Sequence, residues 1–177
     1  VLAEVGEAYA PEGATAIVMD PRTAEVLAMA NWPPVDPDDL SASRPEDLLN
    51  RATGFTYEPG STFKAFTVAA ALEEGLVGPE TAFVLPPTID VADRTIEESH
   101  PRGTQTMTVG EILAHSSNVG AVTIGLQVGS RKFSRWIKRF GFGRPTGIRF
   151  PAEERGIVPE LEDYSGSTMG NLPLGQG

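Results

Sequence analysis

Two short apolar runs, at residues 15–19 and 25–30, flank the sequence Asp20-Pro21-Arg22-Thr23. Pro following Asp suits a type I turn, so the segment predicts a β-hairpin. Both strands are apolar at consecutive positions, the pattern of strands covered on both faces in the centre of a sheet. A lone hairpin is marginal in water, so further strands are expected beside it. Residues 32–47 carry four Pro and a run of Asp and read as an extended surface loop. Glu58-Pro59-Gly60 then introduces a helix over 61–74, with Phe63, Phe66, Ala70 and Ala71 as its apolar positions and Gly75 as its stop. The β-branched stretch 83–96 is broken by Pro86-Pro87 and Asp93 and predicts a small irregular hairpin. Thr108 with Glu111 three residues later forms a capping box for a short helix over 108–114. The polar turn His115-Ser116-Ser117-Asn118 leads to an apolar helix over 119–128. A basic amphipathic helix follows over 130–140, with Phe133, Trp136, Ile137 and Phe140 on one face. A hairpin followed by helices predicts an α+β domain.

Composition narrows the chemistry. The 177 residues suffice for one domain with a real core. A net charge of −10 repels phosphate backbones and argues against nucleic acid as a partner. With no Cys there is no thiol nucleophile, disulfide framework or Cys-based metal site. Two separated histidines, His100 and His115, speak against a His-rich metal site or a Ser-His-Asp triad. Asp36, Asp38 and Asp39 lack the turn Gly and bidentate acid of a calcium loop and read as a solvated acidic loop. The longest apolar stretch, 65–72, is far short of a membrane span. The chain starts at Val1 without Met and stops at Leu174-Gly175-Gln176-Gly177, and it is read as a fragment of a longer protein.

The candidate chemistry lies in two short motifs. Ser61-Thr62-Phe63-Lys64 puts a hydroxyl and an amine on one helical face, within reach of each other. Ser61 also sits at the helix start, where free N–H groups favour developing negative charge. Lys64 can act as a base only if burial lowers its pKa, and Phe63 and Phe66 beside it suit that. With ten Ser and three Lys in the chain, chance supplies roughly 0.17 such matches, so the motif alone could be an N-cap and a solvated lysine. Ser116-Ser117-Asn118 adds a second hydroxyl and an amide on a tight turn. Chance supplies both motifs together only about 0.04 times, which favours a site over two helix caps.

Tyr57-Glu-Pro-Gly-Ser-Thr-Phe-Lys64, Ser116-Ser-Asn118 and Phe140-Gly-Phe-Gly-Arg-Pro-Thr-Gly-Ile148 together resemble the D,D-transpeptidase domain of a class B penicillin-binding protein. Asn50-Arg51-Ala52 and Asp20-Pro-Arg-Thr-Ala-Glu-Val26 agree with it, and the spelling leans to the division or sporulation type. The resemblance covers 14–177 as the N-terminal portion of such a domain, with 1–13 as a lead-in. It implies the penicillin-binding protein/serine β-lactamase-like transpeptidase fold, here incomplete, with the hairpin and helical part present and later strands missing. It implies that Ser61 attacks the D-Ala-D-Ala bond of a peptidoglycan stem peptide and is acylated by β-lactams. Lys64 would be its general base, Ser116 a proton relay to the departing amine, and Asn118 a support for the substrate backbone and for Lys64. Neither metal nor organic cofactor is implied. The parent protein would sit outside the cytoplasmic membrane of a bacterium, anchored by an N-terminal helix and partnered by a membrane glycosyltransferase.

One departure stands against these agreements. The family carries a third motif, Lys-Thr/Ser-Gly, whereas Lys64, Lys132 and Lys138 are followed here by Ala65, Phe133 and Arg139. That strand would supply a second oxyanion donor and grip the substrate carboxylate, so the 177 residues alone are expected to be inactive. Its absence is also expected to leave one face or edge of the hairpin uncovered. A class D-like serine β-lactamase or β-lactam sensor shares Ser-Thr-Phe-Lys but usually carries Ser-x-Val as its second motif. A non-catalytic, transpeptidase-like scaffold of the cell-wall machinery is the alternative from another class, though it would have no need of all four site residues.

Overall fold

The computed structural model describes residues 1–177, which divide into two compact units. Val1–Thr56 with Pro145–Arg155 form the first, and Tyr57–Arg144 with Gly156–Gly177 the second.

The first unit holds α1 (Leu2–Tyr9), β1 (Ala14–Met19), β2 (Val26–Trp32) and the single turn α2 (Arg51–Gly54). The hairpin expected between residues 15 and 31 is present, antiparallel, with Ala14 opposite Trp32 and a bulge between Val18 and Met19. Asp20 builds its turn: Oδ1 accepts from the Arg22 N–H at 2.8 Å, and its own N–H donates to Glu25 O at 2.9 Å. Cover on both faces is not found. Helices α1 and α2 pack on the hairpin, yet Ile17, Val18, Met19 and Leu27 stay exposed, and no other strand of this chain pairs with either edge. Helix α1 was not anticipated, because residues 1–13 show no clear periodicity; its Gly6 lies against the Trp32 ring. The acidic loop after β2 is only partly extended, with 3₁₀ turns at Leu40–Ala42 and Pro45–Leu48. Asp47 accepts from Arg44 Nε at 2.6 Å and Arg51 Nη2 at 3.1 Å and so ties the loop down.

The second unit carries a 3₁₀ turn, Gly60–Phe63, running into α3 (Lys64–Glu73). It continues with β3 (Ala82–Leu85), β4 (Thr88–Val91), β5 (Arg94–Glu97) and β6 (Gln105–Thr108), then α4 (Val109–Ala114), α5 (Asn118–Val128), α6 (Ser130–Arg139) and the short α7 (Thr168–Asn171). The irregular hairpin expected over 83–96 resolves into two ladders. Strands β4 and β5 form the hairpin proper, while β3 pairs with β6 on the far side of it.

Helix α5 is the axis of this unit. It is mostly apolar, and Val119, Ala121, Val122 and Ile124 are fully buried among its neighbours, with Leu126 and Gln127 on its exposed side. A β-carbon at its Gly125 would lie 2.4 Å from Pro173 Cγ, so the close approach of the Pro173 ring to α5 requires glycine there. Helices α3 and α6 meet through aromatic rings: Phe66 stands edge-on to Phe140 and Phe142, with centroids 5.1 and 5.0 Å away. Phe133, Trp136 and Ile137 form the buried face of α6, as its periodicity requires.

Candidate active site

The turn that bears Ser61 is held from both sides. Gly60 takes a φ of 58°, and the Thr62 hydroxyl donates to Pro59 O at 2.7 Å. The Gly60 N–H donates to Gly175 O at 3.0 Å, and the Gly177 N–H donates to Glu58 Oε1 at 2.8 Å. A β-carbon at Gly175 would fall 2.4 Å from Gly60 O, and its φ of 74° also favours glycine. The C-terminal Gly175-Gln176-Gly177 backbone therefore lies against the start of the Ser61 turn. Ser61 is exposed at the surface of the unit, and its hydroxyl makes no hydrogen bond. The helix start expected at Ser61 is a 3₁₀ turn, with the α-helix beginning at Lys64.

Lys64 is 1% exposed, the largest of the fully buried side chains. Its ammonium has three donors, and each meets an acceptor: Ser116 O at 2.6 Å, Asn118 Oδ1 at 2.6 Å and Ser116 Oγ at 3.0 Å. The set serves the neutral amine equally well. Its two N–H groups keep the two carbonyl oxygens, and its lone pair accepts from the Ser116 hydroxyl. Burial lowers the Lys64 pKa from its ordinary 10.5, opposed by the negative charge of Glu98.

The geometry of the Ser116 turn follows from the end of α4. The Ser116 N–H donates to Leu113 O at 3.1 Å and the Ser117 N–H to Ile112 O at 2.9 Å, which is the Schellman arrangement. Ser116 occupies the left-handed position of that motif, φ 53°, where glycine is usual. Its carbonyl and hydroxyl both reach Lys64, and glycine would keep the first and lose the second. Ser117 then caps α5, its Oγ accepting from the Gly120 N–H at 2.9 Å. Asn118, the first residue of α5, donates from Nδ2 to Glu97 O at 2.8 Å, leaving Oδ1 for Lys64.

The structure thus brings Lys64, Ser116 and Asn118 into one hydrogen-bonded group. Ser61, three residues before Lys64, has no bond to that amine in this state. Glu98 and Arg102 complete the surroundings and were not singled out from the sequence. They lie in the stretch between β5 and β6, where an acid followed four residues later by Arg gives no signal of its own. The carboxylate of Glu98 bonds Ser117 Oγ at 2.6 Å, the Asn118 N–H at 2.8 Å and Arg102 Nη2 at 2.5 Å. Burial alone would raise the Glu98 pKa, but these bonds outweigh it and hold the group below its ordinary 4.5.

Comparisons with known proteins show the family of the chain. Residues 14–177 match the family described as the penicillin binding protein transpeptidase domain. Penicillin-binding protein PbpB of Mycobacterium tuberculosis is 36% identical over 92% of this chain, and Stage V sporulation protein D of Bacillus subtilis is 36% identical over 96%. The chain spans about a quarter of the length of these relatives, 24% and 26% respectively. Among solved structures, penicillin binding protein 3 of M. tuberculosis in complex with aztreonam superposes with a TM-score of 0.92 at 33% identity. That match covers 98% of this chain and 39% of the other.

Proposed function

The chain belongs to the penicillin-binding protein transpeptidase family, and we propose that it carries the nucleophile half of a serine peptidoglycan D,D-transpeptidase active site. The observation that supports this most is the buried Lys64 amine, held by Ser116 and Asn118 and three residues from an exposed serine. A buried lysine with a lowered pKa has the property a general base requires.

In this reading Ser61 Oγ attacks the carbonyl of the D-Ala–D-Ala bond while its proton passes to Lys64. An Oγ–carbon bond forms, the carbon–nitrogen bond breaks, and the terminal D-Ala leaves after taking a proton through Ser116. The acyl group then passes from Ser61 to an amine of a neighbouring stem peptide, and the serine regains its proton. Reaching Ser61 requires Lys64 to give up one of its three present partners, and Ser116 Oγ, at the longest distance, is the one released, which frees the amine lone pair for the Ser61 proton. Asn118 holds the amine in place through that exchange. A positioned base of this kind contributes about 10²–10⁴-fold in rate.

The 177 residues contain no Lys-Thr/Ser-Gly sequence. In the proposed mechanism that strand adds an oxyanion donor, worth roughly 10²–10³ in rate, and grips the substrate's terminal carboxylate. Residues 1–177 alone are accordingly expected to be inactive. In this reading the full-length protein works on the outer face of a bacterial cell membrane beside a glycosyltransferase; within this chain, no helix is long and apolar enough to cross a membrane.

The test is release of D-Ala from a D-Ala-D-Ala stem pentapeptide by the full-length protein, with an acceptor amine present. Cross-linked product together with a penicillin adduct that persists for many minutes supports the transpeptidase. Penicillin hydrolysed within seconds and no D-Ala release would instead identify a β-lactamase.

A further inference from the structure

Glu98 has the density of bonding expected of a residue with a task. Its side chain is 7% exposed, and besides Ser117, Asn118 and Arg102 it accepts from the Val119 N–H at 3.3 Å. A carboxylate taken out of water costs several kcal/mol unless donors replace its hydration, and here four do. Three of the four belong to the first turn of α5, the turn that also presents Asn118 to Lys64. The neighbouring Glu97 contributes its backbone carbonyl to Asn118 Nδ2 at 2.8 Å. Two consecutive residues therefore grip Asn118, one by its main-chain N–H and the other by its side-chain amide. With Nδ2 committed to a carbonyl, only Oδ1 can face the amine, so the orientation of the amide is fixed from this side.

Ser117 satisfies the Gly120 N–H of α5, and Glu98 satisfies the Asn118 and Val119 N–H groups that Ser117 leaves open. The acid also brings charge: it opposes the effect of burial on Lys64, and Arg102 helps to hold Glu98 in its charged form. Arg102 is itself anchored by weaker contacts to Leu85 O and Gly103 O, at 3.4 and 3.3 Å.

We propose that Glu98, paired with Arg102, is a positioning residue for the Ser61 chemistry: through Ser117 Oγ and the Asn118 and Val119 N–H groups it fixes the first turn of α5, and so the place of the Asn118 side chain that holds Lys64. This rests on the reading of Ser61 as nucleophile and Lys64 as base. Glu98 touches neither substrate nor Ser61 and acts through Asn118 and Ser117.

The experiment is the second-order rate of acylation by benzylpenicillin in the full-length protein, followed from pH 6 to 10 for wild type, Glu98→Gln, Glu98→Asp and Arg102→Gln. Thermal unfolding establishes that each variant is folded. Glu98→Gln is expected to slow acylation about tenfold to a hundredfold. It should also move the acidic limb of the profile down by about half a pH unit or more, because the charge that favours the ammonium is gone. Arg102→Gln should move the limb the other way, since it leaves that negative charge unpaired. Glu98→Asp should keep the limb at its wild-type position. A cap without influence on the base would change stability and leave every limb in place, and that result overturns the proposal. So does an equal displacement in the Asp and Gln variants, which would make shape and not charge the cause. If Glu98→Gln does not fold, the limb of Arg102→Gln decides alone. Wild-type protein that is not acylated at any pH refutes the reading of Ser61 itself, and is distinguishable from all of these.

Discussion

Ser116 shows most clearly what a single residue gives up for the site. A left-handed φ costs an L residue roughly 1–2 kcal/mol, and the Schellman turn it closes would form more readily with glycine. The strain persists because its hydroxyl, which glycine lacks, serves Lys64. Ser116→Gly is therefore expected to raise the unfolding midpoint in urea while slowing penicillin acylation by about 10²-fold. Lower stability with unimpaired acylation would reverse the argument. The four candidate residues were legible in the sequence because their motifs depend on spacing: Ser61 and Lys64 within one turn, Ser116 and Asn118 across one helix start. Glu98 was not legible. Its role depends on the fold bringing residues 98 and 117–119 together, and no local pattern encodes that. The Ser61–Lys64 contact inferred from helical spacing is also not made, because three better-placed acceptors occupy the amine.

At the scale of elements, the helices with their own signals were the ones read correctly. The Thr108 and Glu111 capping box is present with both of its bonds, at 3.2 and 2.8 Å. The amphipathic period of α6 buries Phe133, Trp136 and Ile137 of the expected face, while Phe140, one residue past the helix end, is exposed. The strands β3 and β6 were harder to read, because four-residue strands paired across an intervening hairpin leave little trace in local alternation. What locks α6 to the end of α3 is also non-local: Glu74 accepts from Lys132 at 2.7 Å, Arg135 at 3.0 Å and Trp136 Nε1 at 2.9 Å. These bonds hold the Glu74 carboxyl at about 2, below its ordinary 4.5. A lowered folded-state pKa stabilises fully above the unfolded value and is lost as pH falls through the folded one. The stability advantage of wild type over Glu74→Gln, measured by urea unfolding, should be constant from pH 5 to 7 and shrink progressively from 4.5 toward about 2. A difference independent of pH would show that the bonds do not favour the charged form.

For the whole molecule, the sequence pattern separates the two units in kind. The second unit closes around α5 with two apolar clusters, one including its Val119 and Ile124 and the other its Ala121 and Val122. The first presents a two-stranded hairpin whose apolar residues were expected to be covered on both faces, and Ile17, Val18 and Leu27 are exposed. Consecutive apolar positions report that a strand wants cover, not which part of a chain provides it. The net charge of −10 limits nonspecific association with anionic partners, while the site itself depends on a lysine shielded from solvent. The central claim is that this lysine activates Ser61. The most direct test is the intact mass and peptide map of the full-length protein after brief exposure to benzylpenicillin, beside Ser61→Ala and Lys64→Ala. The account predicts one stable adduct located on Ser61 in the wild type, none in Ser61→Ala, and acylation slowed about 10²–10⁴-fold in Lys64→Ala. An adduct on another residue, or undiminished acylation without the Lys64 amine, would contradict it.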